Sequence, residues 1–455
     1  MFVVMALVTT VATTPLTKAL YPPWYQKKVE RWRRGEIDWD GNETQGAPSN
    51  RGGSIDKLDN IQIRRLLVYL RLDSLPGLFT FLALFGPQGN PGVRKGAEPS
   101  PPKRPLEVHG LRIIELTDRT SSVMHVTEGE EFYSQRDPVV NAFRAFSQLH
   151  DLAVAGRVAV SPEDSYAETL VNQASETSSD FALIPWGEYG SITEDQSVPF
   201  AVNASERFRG SAHLEFVYNT LRKARPICNA GIFIDNGFGG ITKPGDRAEL
   251  SRVTSSGSIR SHRDTAALPV SNKNHHIFFP FIGGADDRAA LRMVLQLARN
   301  PHVTLSIVHM NWPPDGSGHV DIAGEGTNGE RSDSKRELER DITPKDLSLL
   351  SVLQSSLPEE LVCRVTVSEI NVAPGAAVEE TVFLAKKSIG QTPKNAGDVI
   401  VLGRRHARLG DSTPDIPSGG PDLKTTVGSI AEQLITSGTK ASILIIQAGG
   451  RAGES

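Results

Sequence analysis

The chain has little cysteine: it contains 2 cysteines, Cys228 and Cys363, in 455 residues. This number excludes a disulfide framework, because such scaffolds are short chains that carry several cysteine pairs. Both cysteines lie in apolar segments that look like strands, so we expect them to be buried as small hydrophobic residues. Such low cysteine usage is typical of proteins in a reducing compartment.

Clusters of one charge sign are rare after residue 34. The formal net charge is −4 and the pI is about 6.3, and without a basic stripe we predict no nucleic-acid partner. The 11 histidines are scattered, and the pair His275–His276 has no further ligand at metal spacing. The sequence lacks a Gly-x-Ser-x-Gly elbow, a Cys–His pairing and a Walker loop. We therefore predict that the chain is not an enzyme and has neither a metal site nor catalytic residues.

Phe2–Leu16 contains no charged residue. It is followed by Tyr21, Trp24 and Tyr25, and then by a basic cluster made of Lys27, Lys28, Arg31, Arg33 and Arg34. This succession is typical of the cytoplasmic end of a membrane helix, although a complete span needs about 20 apolar residues. We predict that residues 1–25 end a transmembrane helix that begins upstream, that residues 26–60 form a juxtamembrane segment and linker, and that residues 1–34 contact lipid. The alternatives are a signal peptide, which would carry its positive charge first, and a buried element of a soluble protein.

Segments typical of strands and of helices alternate after residue 60. The predicted strands are Arg65–Leu72, Leu111–Thr117, Gly156–Val160, Phe181–Ile184, Ile227–Asp235, His276–Phe281, Val303–Met310, Val362–Glu369, Asp398–Leu402 and Ala441–Gln447. The predicted helices are Leu75–Phe85, Pro138–Asp151, Ser165–Thr177, Ala212–Ala224, Asp286–Arg299, Leu347–Leu357, Ala376–Lys387 and Ile430–Ser437. Two segments rich in Gly, Pro or charge, 86–105 and 312–335, are predicted to be disordered insertions.

An internal repeat organises these elements. Asp180–Ile184 and Asp398–Leu402 are each an aspartate followed by an apolar strand, and Gly210–Ser211 and Gly428–Ser429 each open a helix. Both pairs are separated by the same interval along the chain. The alternation predicts an α/β fold with two tandem five-stranded parallel sheets. The predicted limits are 61–240 for the first domain, 241–274 for a linker and 275–450 for the second domain.

Five segments carry a resemblance to known proteins. They are TTVATTPLTKALYPPWYQKK at Thr9–Lys28, ELTDRTSSVM at Glu115–Met124, ALIPW at Ala182–Trp186, CNAGIFIDNGFGG at Cys228–Gly240 and FFPFIGGADDRAALRMVLQLA at Phe278–Ala298. Each predicted domain resembles a universal stress protein domain. The whole chain resembles the C-terminal cytosolic region of fungal K+/H+ antiporters of the monovalent cation:proton antiporter 2 family, which are related to plant cation/H+ exchangers.

The resemblance implies that the full-length protein exchanges K+ or Na+ for H+ across a membrane, and that this chain is its cytosolic regulatory region. The ion pathway would lie elsewhere, because ion exchange needs ionisable groups inside the membrane and Phe2–Leu16 has none. The expected partners are the N-terminal transport domain and a second copy in a homodimer, and the expected location is a membrane such as that of the Golgi, endosome or vacuole. Candidate signals are a nucleotide, a partner, or pH sensed by histidines. The alternatives are a soluble tandem universal-stress-type protein that binds ATP, and an interaction scaffold with empty clefts.

Glycines after the fourth strand of each domain are candidate nucleotide-binding residues, and ATP or another nucleotide is the one cofactor that the resemblance suggests. ATP-binding universal stress domains place a Gly-x2-Gly loop there, and a Gly-Ser or Gly-Thr then opens the next helix, so that N–H groups surround the phosphates. The candidates are Gly187, Gly190, Gly210 and Ser211 in the first domain, and Gly403, Gly410, Gly428 and Ser429 in the second. Glu188 has the wrong charge for phosphate, and Gly403 and Gly410 are too far apart for the motif. Alternatively, the Gly-Ser pairs only cap helices. The basic run Arg404, Arg405, His406 and Arg408 is interpreted as a solvated face, with an anion-binding site as the alternative.

Overall fold

A ten-stranded sheet with helices on both faces lies at the centre of the computed structural model. The chain divides into Met1–Ile61 and Gln62–Ser455, and every described residue belongs to the second unit. The described residues are 63–85, 106–116, 130–150, 152–192, 194, 206–238, 274–311, 346, 349–351, 353, 357, 359–373, 375–389, 398–406, 409 and 420–450.

Each half of the chain contributes five mutually parallel strands to the sheet. The strands are β1 Arg65–Tyr69, β2 Glu107–Glu115, β3 Ala153–Ser161, β4 Phe181–Pro185, β5 Asn229–Ile234, β6 His275–Phe281, β7 Val303–Asn311, β8 Val365–Asn371, β9 Val399–Gly403 and β10 Ser442–Gln447. The order from one edge is β3-β2-β1-β4-β5, and the second half repeats this order from the opposite edge as β8-β7-β6-β9-β10.

The two halves join through β5 and β10, which pair antiparallel. Ile443 lies opposite Ile234, and Gln447 lies opposite Ala230. Every residue of β10 is buried, as expected for apolar strands of a sheet that is covered on both faces. The predicted α/β fold with five parallel strands in each half is confirmed, and the structure adds that both halves share one sheet.

Helices connect the strands and cover the sheet. They are α1 Leu75–Ala83, α2 Glu130–Arg136, α3 Pro138–Leu149, α4 Tyr166–Glu176, α5 Ser211–Ala224, α6 Ala285–Leu297, α7 Glu359–Val362, α8 Ala377–Ser388, α9 Leu423–Val427 and α10 Ser429–Thr436. Side chains fix where some of them begin: Asp137 caps α3 by accepting the N–H groups of Val139 and Val140, both at 2.9 Å. Such a cap satisfies N–H groups that have no partner within the helix.

Two hydrophobic cores, one on each face of the sheet, continue from one half into the other. One core contains Leu67 of β1 and Ile445 of β10, and the other contains Val68 of β1 and Leu444 of β10. Neighbouring residues belong to different cores because side chains alternate between the faces of a strand. Because each core draws on both halves, the stability of one half depends on the other.

Two strands differ from their predicted limits. β2 begins at Glu107, four residues before the predicted Leu111, because its first residues alternate in burial instead of forming an apolar run. β8 begins at Val365, later than predicted, because α7 takes up the preceding apolar residues. Cys228 is buried as predicted, but the prediction for Cys363 is wrong: it lies in the turn before β8 and is exposed.

Some predictions concern residues outside the described part of the chain. These are the membrane segment 1–25, the juxtamembrane segment and linker 26–60, the insertions 86–105 and 312–335, and the linker 241–274 except for its last residue. Within the described ranges, no helix combines the length and the apolar character that a membrane crossing requires.

Candidate functional site

The candidate residues lie at the carboxyl ends of β4 and β9. In each half the strand order reverses at this place, between β1 and β4 in the first half and between β6 and β9 in the second. Ligands of open α/β sheets bind at such a switch point. The two loops after β4 and β9 are therefore the places where a site would form.

The structure brings together three candidates of the first half, Gly187, Gly190 and Gly210. Gly190 has a φ of +68°, and a Cβ on it would lie 2.1 Å from the carbonyl oxygen of Arg207. A Cβ on Gly210 would lie 2.3 Å from the carbonyl oxygen of Gly190. Ser211 begins α5 and is exposed. The close approaches that these glycines permit are thus made to the chain's own carbonyl oxygens.

Arg207 holds the loop after β4 from inside. Its Nε donates to the carbonyl oxygen of Gly187 at 3.1 Å, and its guanidinium nitrogens donate to those of Asp235 at 2.9 Å and Trp186 at 3.3 Å. In return, Trp186 Nε1 donates to the carbonyl oxygen of Arg207 at 3.2 Å. Burial lowers the pKa of Arg207, although the Asp235 carboxylate acts in the opposite direction. The guanidinium is therefore used to fix main chain.

His213, in the first turn of α5, completes this loop. Its Nε2 accepts the N–H of Gly187 at 3.4 Å, and its ring stands edge-on to Trp186 at a centroid distance of 4.7 Å. Burial, followed by the charges of Arg71 and Arg207, lowers the pKa of His213 to about 3. The imidazole is thus neutral at physiological pH, and His213 does not sense pH there. The sequence shows it only as one histidine in an amphipathic helix, so the pattern could not find it.

The loop after β9 is closed in a similar way. The structure describes the candidates Gly403, Gly428 and Ser429, whereas Gly410 lies outside the described residues. Gly428 has a φ of +93°, and a Cβ on it would lie 2.0 Å from the carbonyl oxygen of Arg404. The N–H of Gly403 donates to Asp287 Oδ1 at 3.1 Å. Ser429 begins α10, as predicted for a residue at a helix start.

The prediction that the basic run is a solvated face is wrong for Arg404, because only 2% of this residue is exposed. Its guanidinium donates to the carbonyl oxygens of Thr426 at 2.7 Å and Thr425 at 2.8 Å, and to the side-chain oxygen of Gln447. Burial lowers the pKa of Arg404 to about 9. His406 is buried too, with 2% exposed, whereas Arg408 lies outside the described residues. The sequence pattern gave no sign of this burial, because the basic residues directly follow the end of the apolar strand.

Asp286 and Asp287, in the first turn of α6, join the carboxyl ends of β6, β9 and β10. Asp287 accepts the backbone N–H groups of Ile282 at 2.8 Å and of Gly283 at 2.9 Å. Asp286 accepts those of Arg405 at 3.1 Å and of Ala448 at 2.8 Å. His406 Nε2 also lies 3.1 Å from Asp287 Oδ1. Burial raises the pKa of Asp286. The sequence analysis missed this pair, although two acids in the first turn of a helix after Gly-Gly are a recognisable signal.

Helix α5 connects the two loops. Gln447, the last residue of β10, donates from its Nε2 to the carbonyl oxygen of Leu221 in α5 at 2.8 Å. The guanidinium carbon of Arg404 lies 5.8 Å from the ring centroid of Tyr218, also in α5. The same helix begins with Ser211 at the first loop. One helix therefore contacts residues at both loops.

The arrangement fixes main chain rather than presenting reacting groups. Carbonyl oxygens and a carboxylate face the candidate glycines, whereas phosphate binds N–H groups and cations. Among the described residues, no three His, Cys, Asp or Glu side chains are placed to hold a metal ion. Each of the two loops is thus held closed by the chain's own side chains. Nucleotide binding at the eight predicted residues stays a prediction.

Comparison with known proteins gives one family match. The model of the plant cation/H(+) antiporter domain matches residues 108–238, which span β2 to the end of β5. The chain is 25% identical over 459 residues to cation/H(+) antiporter 18 of Arabidopsis thaliana, covering 98% of this chain and 46% of the relative. For cation/H(+) antiporter 19 of the same plant, the identity is 24% over 457 residues, covering 98% and 45%. The chain thus spans about half the length of these relatives.

A universal stress protein from Archaeoglobus fulgidus DSM 4304 is a structural neighbour. The TM-score is 0.38 at 12% sequence identity, and the superposition covers 86% of this chain and 98% of the neighbour. The relatives found by sequence are named as transporters rather than enzymes. Along nearly its whole length, this chain is similar to a large part of plant cation/H+ antiporters.

Proposed function

We propose that the chain is the cytosolic regulatory region of a membrane antiporter that exchanges monovalent cations for H+. The extent of the similarity carries this proposal: two Arabidopsis antiporters align with 98% of this chain, and the alignments cover less than half of each relative. In this proposal, the rest of the full-length protein conducts the ions. The chain's two halves receive a cytosolic signal and bias the transport domain.

The architecture supports a regulator that responds as one body. The β5–β10 pair joins the halves, both cores continue across this junction, and α5 contacts both loops. Packed elements of this kind change between discrete arrangements rather than deforming gradually. A signal at one loop would therefore alter the whole module.

The proposed cation, partners and location rest on the resemblance and the sequence. K+ is the proposed cation, with Na+ as a second, because the sequence resembles fungal K+/H+ antiporters. The proposed partners are the N-terminal transport domain, a second copy of the protein, and lipid contacted by residues 1–34. The proposed location is an endomembrane such as that of the Golgi, endosome or vacuole.

Transport by the full-length protein tests the regulatory role. The protein is reconstituted in liposomes, and K+-driven H+ flux is followed with a pH-sensitive dye from pH 5.5 to 8, with and without residues 62–455. We expect exchange in both, with a different pH response or rate when the module is removed. The matched control is Arg222→Ala, which changes an exposed side chain of α5 and should transport normally. Equal transport and an equal pH response without the module would refute a regulatory role.

The nucleotide prediction is tested on the chain itself. ATP that binds the folded state raises the midpoint of thermal unfolding, by an amount that grows with the ligand concentration. A shift that is lost in Gly187→Val or Gly403→Val would support a nucleotide as the signal. A chain that stays soluble without membranes and retains ATP would favour the alternative, a tandem universal-stress-type protein. Absence of any shift with ATP, ADP or AMP would leave the loops as structural connections.

A further inference from the structure

Asp180 and Asp398 occupy equivalent positions in the two halves, immediately before the fourth strand of each. Asp180 Oδ2 accepts the N–H groups of Arg64 and Arg65 at the start of β1, both at 2.9 Å. Asp398 Oδ1 accepts the N–H of His276 at the start of β6, at 3.1 Å. In both halves, a carboxylate thus connects the start of the fourth strand to the start of the first, on the side of the sheet where the amino ends of these strands lie.

The surroundings of the two carboxylates differ. Asp180 is exposed, and water can solvate its charge. Only 8% of Asp398 is exposed. Burial raises the pKa of Asp398 to about 6, and the hydrogen bond from His276 offsets only part of this effect. One aspartate of the repeat is therefore solvated, whereas its counterpart lies in surroundings that destabilise the charged carboxylate.

Other titratable groups surround Asp398 at this edge. From β6 come His275, of which 8% is exposed, and His276, whose Nδ1 lies 2.8 Å from the hydroxyl of Thr304. The carbonyl oxygen of His302, just before β7, accepts the N–H of His275 at 2.8 Å. On the other side, exposed Lys440 precedes β10. Burial lowers the pKa of His276.

We propose that Asp398 is a pH-sensitive latch, whose proton uptake tightens the junction between the starts of β6 and β9. When the carboxylate is ionised, its burial is costly, and opening of the edge lets water reach it. When Oδ2 takes a proton from solvent, that cost disappears and the closed edge is favoured. The latch is a property of this chain, and its use as a signal input rests on the proposed regulatory function.

The backbone amide of His276 reports the latch directly. Hydrogen exchange of this amide in the full chain, corrected for the intrinsic effect of pH, should show protection that begins to rise as pH falls through about 6 and that levels off near the ordinary aspartate pKa of about 4. Over this whole window the change approaches about 100-fold, because two pKa units correspond to that factor in an equilibrium constant. Asp398→Asn should give a flat profile. Asp180→Asn, the matched control in the other half, should keep the wild-type profile at His276.

Several results would overturn the latch: protection at His276 that does not change with pH, a profile that persists in Asp398→Asn, or one that Asp180→Asn abolishes. If Asp398→Asn does not fold, carboxyl ¹³C NMR of the wild-type chain decides, and a midpoint near 4 for Asp398 would overturn the inference. In the full-length antiporter, Asp398→Asn should flatten the pH dependence of exchange between pH 5.5 and 7.5. A latch that titrates while exchange is unaffected would refute the regulatory function alone.

Discussion

Arg404 occupies in the second half the position that Trp186 occupies in the first. The N–H of Trp186 donates to the carbonyl oxygen of Phe233 in β5, and the N–H of Arg404 donates to that of Ile446 in β10, both at 2.8 Å. Each side chain then donates to a main-chain carbonyl oxygen, that of Arg207 before α5 for Trp186 and that of Thr426 in α9 for Arg404. An indole and a guanidinium thus perform the same closure, but only the arginine brings a charge into the interior.

Replacement of Arg404 by alanine should destabilise the chain by about 3 kcal/mol, because it leaves buried acceptors without donors. These acceptors are the carbonyl oxygens of Thr425 and Thr426 and the side-chain oxygen of Gln447. The free energy of unfolding in urea measures the effect. Arg222→Ala, at an exposed position of α5, should change it by less than about 0.5 kcal/mol. A loss below about 1 kcal/mol in Arg404→Ala would show that water replaces the guanidinium.

Substitutions at Gly428 and Gly438 can separate the energetic cost of backbone strain from that of a steric clash. Both have positive φ, +93° and +69°, but a Cβ on Gly428 would meet the Arg404 carbonyl oxygen, whereas nothing lies within 4 Å of one on Gly438. Gly438→Ala should cost about 1 kcal/mol for the left-handed conformation alone. Gly428→Ala should cost at least about 2 kcal/mol more, since the loop must move. Thermal unfolding of both variants checks this, and equal losses would mean that the loop after β9 is loose.

Local sequence predicted the fold well where burial alone decides it. Runs such as Phe181–Ile184 are buried in full, so an unbroken apolar pattern was enough. The antiparallel pairing of β5 with β10 joins residues that are far apart in the chain, and no local pattern records it. Helix α2, with the sequence EEFYSQR, lacks an apolar period and could not be predicted for that reason.

The site was predictable only in its glycines. Gly190 and Gly428 lie where a positive φ and a close backbone approach require glycine. Their positions after the fourth strand of each half identified them as candidates. Which atoms approach them depends on tertiary structure, so Arg207 and His213 could not be found in the sequence. Asp287 has four partners at the ends of β6 and β9, which are the N–H groups of Ile282, Gly283 and Gly403 and the Nε2 of His406. This role becomes visible only when the strand ends meet.

His213 should make the chain sensitive to acid. Its pKa falls from 6.5 when exposed to about 3 in the folded chain, so below pH 6.5 the unfolded state binds a proton that the native state does not. The stabilisation is therefore complete above pH 6.5 and is lost as pH falls towards 3, by up to about 1.4 kcal/mol per pH unit.

Urea unfolding of the wild type and of His213→Gln at pH 7, 5.5 and 4.5 measures this contribution. Glutamine retains an acceptor for the Gly187 N–H but takes up no proton, so the variant should lose less stability in acid than the wild type does. The difference between the two should grow steadily from pH 6.5 downwards. Parallel pH profiles would contradict the buried neutral imidazole.

The two halves should unfold together, because both cores cross the β5–β10 junction. Ile445 is 1% exposed in one of these cores, and Ile445→Ala should cost about 2–4 kcal/mol. Hydrogen exchange should then accelerate by the same factor in β2 of the first half and β7 of the second, since the global opening reaction exposes both. Leu149→Ala, at a position that is 82% exposed, should accelerate neither strand. If β7 alone exchanged faster in Ile445→Ala, the halves would be separate folding units, and the loops could not communicate through a shared core.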